Sequence, residues 1–272
     1  MKCLLAFIAF LFLSSTADAE TSFERVLKDR TIRCSYATLA PFMIIDPNTQ
    51  EKSGMFPEIM TEIGLRLDLD IDWVEEVAYP QIATGLQTKR YDAFCGTLWA
   101  TPARASSMTF TKPLYYQAVH ACVADKSNAY DNSVEGLNSA DKKLMAYDGD
   151  VSIQLTKALF PKAEIVTIPD MMSFAEAAQW IATGKVDGVA TCNKLIVEDF
   201  NKNADKKIKL ANPSAPLTYV MAPIGVGLNE TALTGMLDVA IFDMQMDGTL
   251  DRILSKYMPD YEDEMIIPKV KE

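Results

Sequence analysis

A single histidine, His120, serves the whole 272-residue chain. Zinc sites and Ser–His or Cys–His catalytic pairs draw on histidine, so both lose their commonest participant. The five cysteines offer no substitute, because none stands at CxxC or another metal-ligand spacing. No metal site and no cofactor are therefore expected. His120 itself lies in the apolar run "AVHACVA" and reads as a packed strand histidine. Basic residues are outnumbered, 26 Lys and Arg against 37 Asp and Glu, for a formal net charge of −11. A surface of that sign repels phosphate backbones and anionic bilayers, so no nucleic acid and no membrane surface is expected as a partner. Long apolar runs are lacking too. The one at the N-terminus, "LLAFIAFLFL" (Leu4–Leu13), is too short to span a bilayer, and no later window is longer.

That N-terminal run has another use. Lys2 precedes it, and "SSTADA" follows, ending in the small-x-small sequence Ala17-Asp18-Ala19. These are the three parts of a secretory signal peptide, residues 1–19, with cleavage expected after Ala19. Cys3 precedes the apolar run and is not placed for a lipid anchor. Four cysteines remain after cleavage: Cys34, Cys95, Cys122 and Cys192. An exported chain meets an oxidising compartment, so two disulfides are allowed, with three pairings open. About 250 residues remain, enough for one large domain or two smaller ones.

The pattern of elements favours two similar units. In the first half, "FERVLKDR" reads as a helix and "TIRCSYA" as a strand. Next come the helix "MFPEIMTEIGLRLDL", the strand "DIDWVEE", the helix "PQIATGLQTKR" and the strand "YDAFCGTL". The second half repeats the alternation with "KLMAY", "VSIQLTKALF", "AEIVTI", "MSFAEAAQWIATG" and "VDGVATC". "YVMAPIGVGLN" reads as one further strand, and "ETALTGMLDVAIFDMQMDG" as a long helix stopped at Gly248. Alternating strands and helices make mostly parallel sheets flanked by helices. Ligands of such sheets bind beyond the carboxyl ends of the strands, so two facing units would share a cleft.

Several segments, in order, resemble one family. They are "APFMIID" followed by "SGMFPEIMTEIGLRL", then "YDAFCGTLWATPARASSMTFTKPLYY", "WIATGKVDGVAT" and "DGTLDRILSKYMP". They resemble the periplasmic solute-binding proteins of amino-acid ABC transporters (family 3, type II fold), over nearly the whole mature chain. The resemblance implies a two-lobed α/β fold with the ligand cleft between the lobes. It also implies two chain crossings, near Tyr116–Ala121 and Leu217–Ile224. Lobe one would comprise residues 20–118 and 221–272, and lobe two residues 119–220. The expected pairing of the cysteines, one bridge within each lobe, is Cys34 with Cys95 and Cys122 with Cys192.

The resemblance also assigns the site. Thr101 is expected to cap a short helix with Pro102 at its first position. Arg104 then projects from the first turn, where the family clamps a ligand carboxylate by two parallel hydrogen bonds. Thr97 and Trp99 end the same strand beside it. Tyr36 falls where cationic amino-acid binders often carry an acid, and Tyr79 matches an aromatic wall. On lobe two, Asp150 replaces the Thr of a Gly-Thr turn. Cys192 falls where amino-acid binders place the aspartate that meets the ligand's ammonium. Together these residues describe a pocket that keeps the carboxylate anchor and lacks the usual amine clamp.

The expected function is non-enzymatic. An exported monomer in the periplasm would capture a small carboxylate-bearing molecule by hinge closure and deliver it to ABC transporter permease subunits. One alternative is a protein-partner or sensory module with a degenerate pocket. Another is a cyclohexadienyl-dehydratase-like enzyme with Asp150 as general acid.

Overall fold

The computed structural model describes residues 20–126 and 134–268, so the expected signal peptide, residues 1–19, lies outside the described part. The chain begins with helix α1 (Ser22–Asp29), whose Thr21 and Glu24 form a reciprocal capping box. Strand β1 (Thr31–Tyr36) follows, then the short pair β2 (Ile44–Ile45) and β3 (Lys52–Ser53). Helix α2 (Met55–Leu67) buries Phe56, Ile59, Met60 and Ile63 on one face, while Leu65 is exposed. Strand β4 (Asp70–Glu76), helix α3 (Ile82–Gln87) and the two-residue β5 (Ala93–Phe94) come next. The one-turn helix α4 (Pro102–Ala105) and strand β6 (Met108–Phe110) close this half.

The long strand β7 (Tyr115–Ala124) opens the second half. It is followed by β8 (Lys143–Tyr147), α5 (Val151–Leu159), β9 (Glu164–Ile168), α6 (Phe174–Ala182) and β10 (Gly188–Cys192). Helix α7 (Lys194–Asn203), β11 (Ile208–Leu210), β12 (Thr218–Ala222) and β13 (Gly225–Gly227) continue the chain. Helices α8 (Thr231–Met246) and α9 (Thr249–Tyr257) lead to the last strand, β14 (Met265–Ile266).

Besides the two-stranded β2-β3 pair, two larger sheets result, one per lobe. The first runs β4-β1-β5-β13-β6, with β1 parallel to both β4 and β5. The second runs β11-β7-β10-β8-β9, with β8 parallel to β10 and β9; β12 and β14 add to β7. Helices α2, α8 and α9 cover the first sheet and share its core with Ile32, Leu237, Ile241 and Leu254. In the second, Ala177, Ala178 and Ile181 of α6 pack against Met145, Val189 and Cys192. Each burial of a Leu- or Ile-sized side chain stabilises by about 1.5–3 kcal/mol, which sets these faces inward.

Three features depart from expectation. "YVMAPIGVGLN" is two strands and not one: β12 belongs to the second sheet and β13 to the first. Pro223 stands between them with no N–H to give to either ladder, so the chain changes sheets there. The third strand of the first half is only Ala93–Phe94 long, because its continuation turns to build the cleft wall. Finally, the chain passes between the sheets a third time, since β14 hydrogen-bonds to β7 after the helices of lobe one.

The cysteines pair within the lobes. Cys34 of β1 is bonded to Cys95, just beyond β5, with Cα atoms 5.4 Å apart. Cys122 of β7 is bonded to Cys192 of β10, with Cα atoms 5.8 Å apart. Each bridge staples neighbouring strands within one sheet.

Candidate functional site

A cavity of about 470 Å³ lies between the sheets, within the range of small-molecule sites. Its walls are the ends of parallel strands and the segments after them. Ala37 follows β1, Glu76 ends β4, Tyr147 ends β8, and Thr191 and Asn193 flank the end of β10. Aromatic and thioether groups dominate the rest: Phe42, Tyr79, Trp99, Phe174, Met171 and Met172.

Arg104 is the only cation among the described residues lining this space, where it faces the acids Glu76, Asp150 and Asp170. Its position is built locally. Thr101 is the N-cap of α4, and its hydroxyl oxygen accepts from the Arg104 amide at 3.3 Å. The guanidinium Nη1 donates to the Trp99 carbonyl at 2.9 Å, and Nη2 donates to Asp150 Oδ2 at 2.9 Å. The guanidinium carbon lies 5.6 Å from the centre of the Tyr79 ring, at cation–π range. The arginine and aspartate side chains are 10% and 14% exposed. Burial lowers the guanidinium pKa, and the neighbouring Asp150 and Tyr79 oppose that shift. An arginine stays charged regardless. Burial also raises the phenols of Tyr79 and Tyr147, so both are protonated donors at neutral pH.

Asp150 reaches the pair from the other lobe. It is the N-cap of α5, where its Oδ1 accepts from the Ser152 amide at 2.9 Å. Gly149 beside it has φ +69°, and a Cβ there would stand 3.3 Å from Pro80 Cγ. The two lobes therefore touch along Tyr79-Pro80 and Gly149-Asp150.

Of the other expected residues, Thr97, Trp99 and Tyr79 line the cavity, and Thr101 acts behind it as the cap. Tyr36 does not line it. Its ring packs edge-on against Trp73 at 5.9 Å and sits under Lys52, while Ala37, the next residue, faces the cleft. Cys192 is corrected as well. Val189, Thr191 and Asn193 line the cavity at strand period two, so Cys192 points to the opposite face and into its disulfide.

Gln117 was not anticipated. It is 1% exposed, lies on β7 where the lobes join, and contributes to the cavity wall. Its Oε1 accepts from the Trp99 indole N–H at 3.1 Å. Indole only donates, so the orientation of the amide is fixed, and its Nε2 has no protein partner. The one signal available in the sequence was a polar residue inside an apolar strand. His120, also on β7, is buried as expected: Nδ1 donates to the Asn212 carbonyl and Nε2 lies 3.2 Å from Glu264 Oε1.

Comparison with known proteins agrees with this geometry. The profile of the bacterial extracellular solute-binding proteins, family 3, matches residues 32–260. The L-cystine-binding protein TcyA of Bacillus subtilis is 25% identical over 223 residues, covering 81% of this chain and 78% of the relative. The crystal structure of the ancestral amino acid-binding protein AncCDT-1, a precursor of cyclohexadienyl dehydratase, superposes with a TM-score of 0.74. Its identity is 22%, over 87% of this chain and 99% of that one. An ancestral arginine-binding protein bound to arginine gives a TM-score of 0.71 at 23% identity, over 84% and 98% of the two chains. The fold is thus the two-lobed type II fold of periplasmic amino-acid-binding proteins.

Proposed function

Because this chain belongs to the bacterial extracellular solute-binding proteins, family 3, we propose that its cleft captures a small carboxylate-bearing molecule, an amino acid or a related organic acid. The observation that carries this reading is Arg104, a cation with its side chain only 10% exposed on the wall of an otherwise apolar and acidic cavity. A guanidinium in such a place recognises a carboxylate by paired, charge-assisted hydrogen bonds. Lobe one (residues 20–118 and 221–272) and lobe two (119–220) close on the ligand about the strands that join them. The exported protein acts in the periplasm as a monomer and delivers the ligand to an ABC permease. The similarity to an L-cystine-binding protein and, in fold, to an arginine-binding protein supports an amino-acid-type solute.

The geometry favours binding over elimination of water from an aromatic acid. A general acid must be free to give its proton, whereas Asp150 is engaged by Arg104 and Ser152. The volume of the cavity argues against a degenerate pocket.

A thermal-shift screen of the mature chain with amino acids, keto acids and aromatic acids tests the proposal. A ligand at about 100 times its Kd adds about 2.7 kcal/mol of stability. At least one carboxylate is expected to raise the melting temperature, and Arg104→Ala is expected to weaken it by roughly 10- to 100-fold. A screen in which no carboxylate stabilises the protein overturns the reading.

A further inference from the structure

We infer that Asp150 is a built-in surrogate for the ligand's carboxylate and the group that selects which carboxylates enter. The inference rests on the reading of Arg104 given above. Two of the five N–H groups of Arg104 are already engaged, one on each terminal nitrogen: Nη1 donates to the Trp99 carbonyl and Nη2 to Asp150 Oδ2. A carboxylate that pairs with the two terminal nitrogens either takes the place of Oδ2 or shares Nη2 with it, anion beside anion.

Asp150 cannot simply move aside. Its other oxygen caps α5 through the Ser152 amide, and the turn before it is seated on Pro80. A carboxylate that displaced it would leave a largely desolvated anion without its partner, next to a second anion. Breaking a buried pair in this way is costly, and like charges side by side add to the cost. A ligand with a cation one carbon away from its carboxylate removes the penalty. With the carboxylate on Arg104, that cation falls beside the residue Arg104 has released, and Asp150 regains a partner.

Glu76 and Asp170 also line the cavity, but Asp150 is the acid hydrogen-bonded to Arg104, and the end of β10 supplies no acid. The end of β10 supplies Thr191 and Asn193 to the cavity, and Cys192 between them is closed in its disulfide. Asp150 therefore acts as lock and as counter-charge together. It admits α-amino acids and rejects the same molecules without their amine.

The test uses three matched pairs of probes: L-phenylalanine and 3-phenylpropanoate, L-leucine and 4-methylpentanoate, L-arginine and 5-guanidinopentanoate. Each is titrated calorimetrically into the wild type and into Asp150→Asn. Asparagine caps helices as well as aspartate does, so α5 is preserved while the charge is removed. The wild type is expected to prefer the amino acid of a pair by at least roughly 10-fold. In Asp150→Asn the amino acid weakens and the deamino acid tightens, each by about 10-fold. A preference that is unchanged or increased in the variant, or a wild type that prefers the deamino acid, overturns the inference and leaves the carboxylate reading standing. Absence of binding by all six probes to both proteins overturns the carboxylate reading, and this inference with it.

Discussion

Trp99 and Gln117 are joined by a 3.1 Å hydrogen bond from the indole N–H to the amide oxygen, and both line the cleft. The bond links the irregular segment after β5 to β7. Trp99→Phe keeps an aromatic wall but leaves a buried oxygen without its donor. The expected loss of stability is about 1–3 kcal/mol by urea denaturation. Adding Gln117→Leu removes both partners, so the double variant is expected to recover part of that loss.

The Arg104–Asp150 pair predicts strong non-additivity. Arg104→Ala strands a carboxylate that is 14% exposed, and a destabilisation of about 3 kcal/mol is expected. The double variant Arg104→Ala, Asp150→Asn is expected to lose much less than the sum of the single losses. A thermodynamic cycle from four melting curves measures the coupling, and simple additivity contradicts the pairing.

Separating the disulfide from the ligand site gives a third expectation. Replacing Cys122 and Cys192 together by alanine is expected to lower stability by roughly 2–4 kcal/mol. Affinity for whichever carboxylate binds is expected to stay within about 2-fold, a change below 0.5 kcal/mol, because Cys192 faces away from the cavity. Calorimetry on the variant checks this.

Gly85 inverts a common stabilising substitution. Alanine inside a helix is normally better than glycine by about 0.5–1 kcal/mol. In α3 a Cβ at this position would lie 2.0 Å from the Tyr91 hydroxyl oxygen, and Tyr91 is fully buried. Gly85→Ala is therefore expected to destabilise by about 1–3 kcal/mol. A higher melting temperature for the variant would refute the packing argument.

Glu58 sets part of the acid limb of stability. Burial would raise its pKa, but hydrogen bonds from Lys256 and Tyr257 outweigh burial and hold it below the usual value. The Tyr257 hydroxyl donates at 2.6 Å and ties α9 to α2. A carboxyl whose folded pKa is depressed contributes fully above its unfolded pKa, about 4.3, and that contribution disappears as pH falls through the folded value. Since the group is partly exposed, the amount is under about 1 kcal/mol. Glu58→Gln is expected to be the less stable protein near neutrality and to converge with the wild type at acid pH. Parallel stability–pH curves would count against the assignment.

The sequence was legible where local pattern and structure coincide. "DIDWVEE" and "KLMAY" are strands β4 and β8 with no change of bounds, because the alternation of the first, the short apolar run of the second and the flanking turns are local signals. The Thr-Pro start of α4 likewise followed from capping chemistry. What was hidden depends on partners distant in the chain. The face on which Cys192 lies was misassigned by one residue, and at period two one residue is the whole difference between cavity and core. Gln117 is recognisable only once Trp99, 18 positions earlier, is seen to fix its amide. Strand β14 is two residues long, and nothing in "EMIIP" distinguishes a sheet partner from a loop.

That last strand has mechanical meaning. Below its contacts with β10 and β11, β7 runs between β12 on one edge and β14 on the other, with Gln117 opposite both Val220 and Met265. The lobes are thus joined by a three-stranded strip. Lobe closure is therefore expected to bend this strip, whose strands pair on both edges of β7. A pair of fluorophores placed across the cleft would follow that bend as a change in distance.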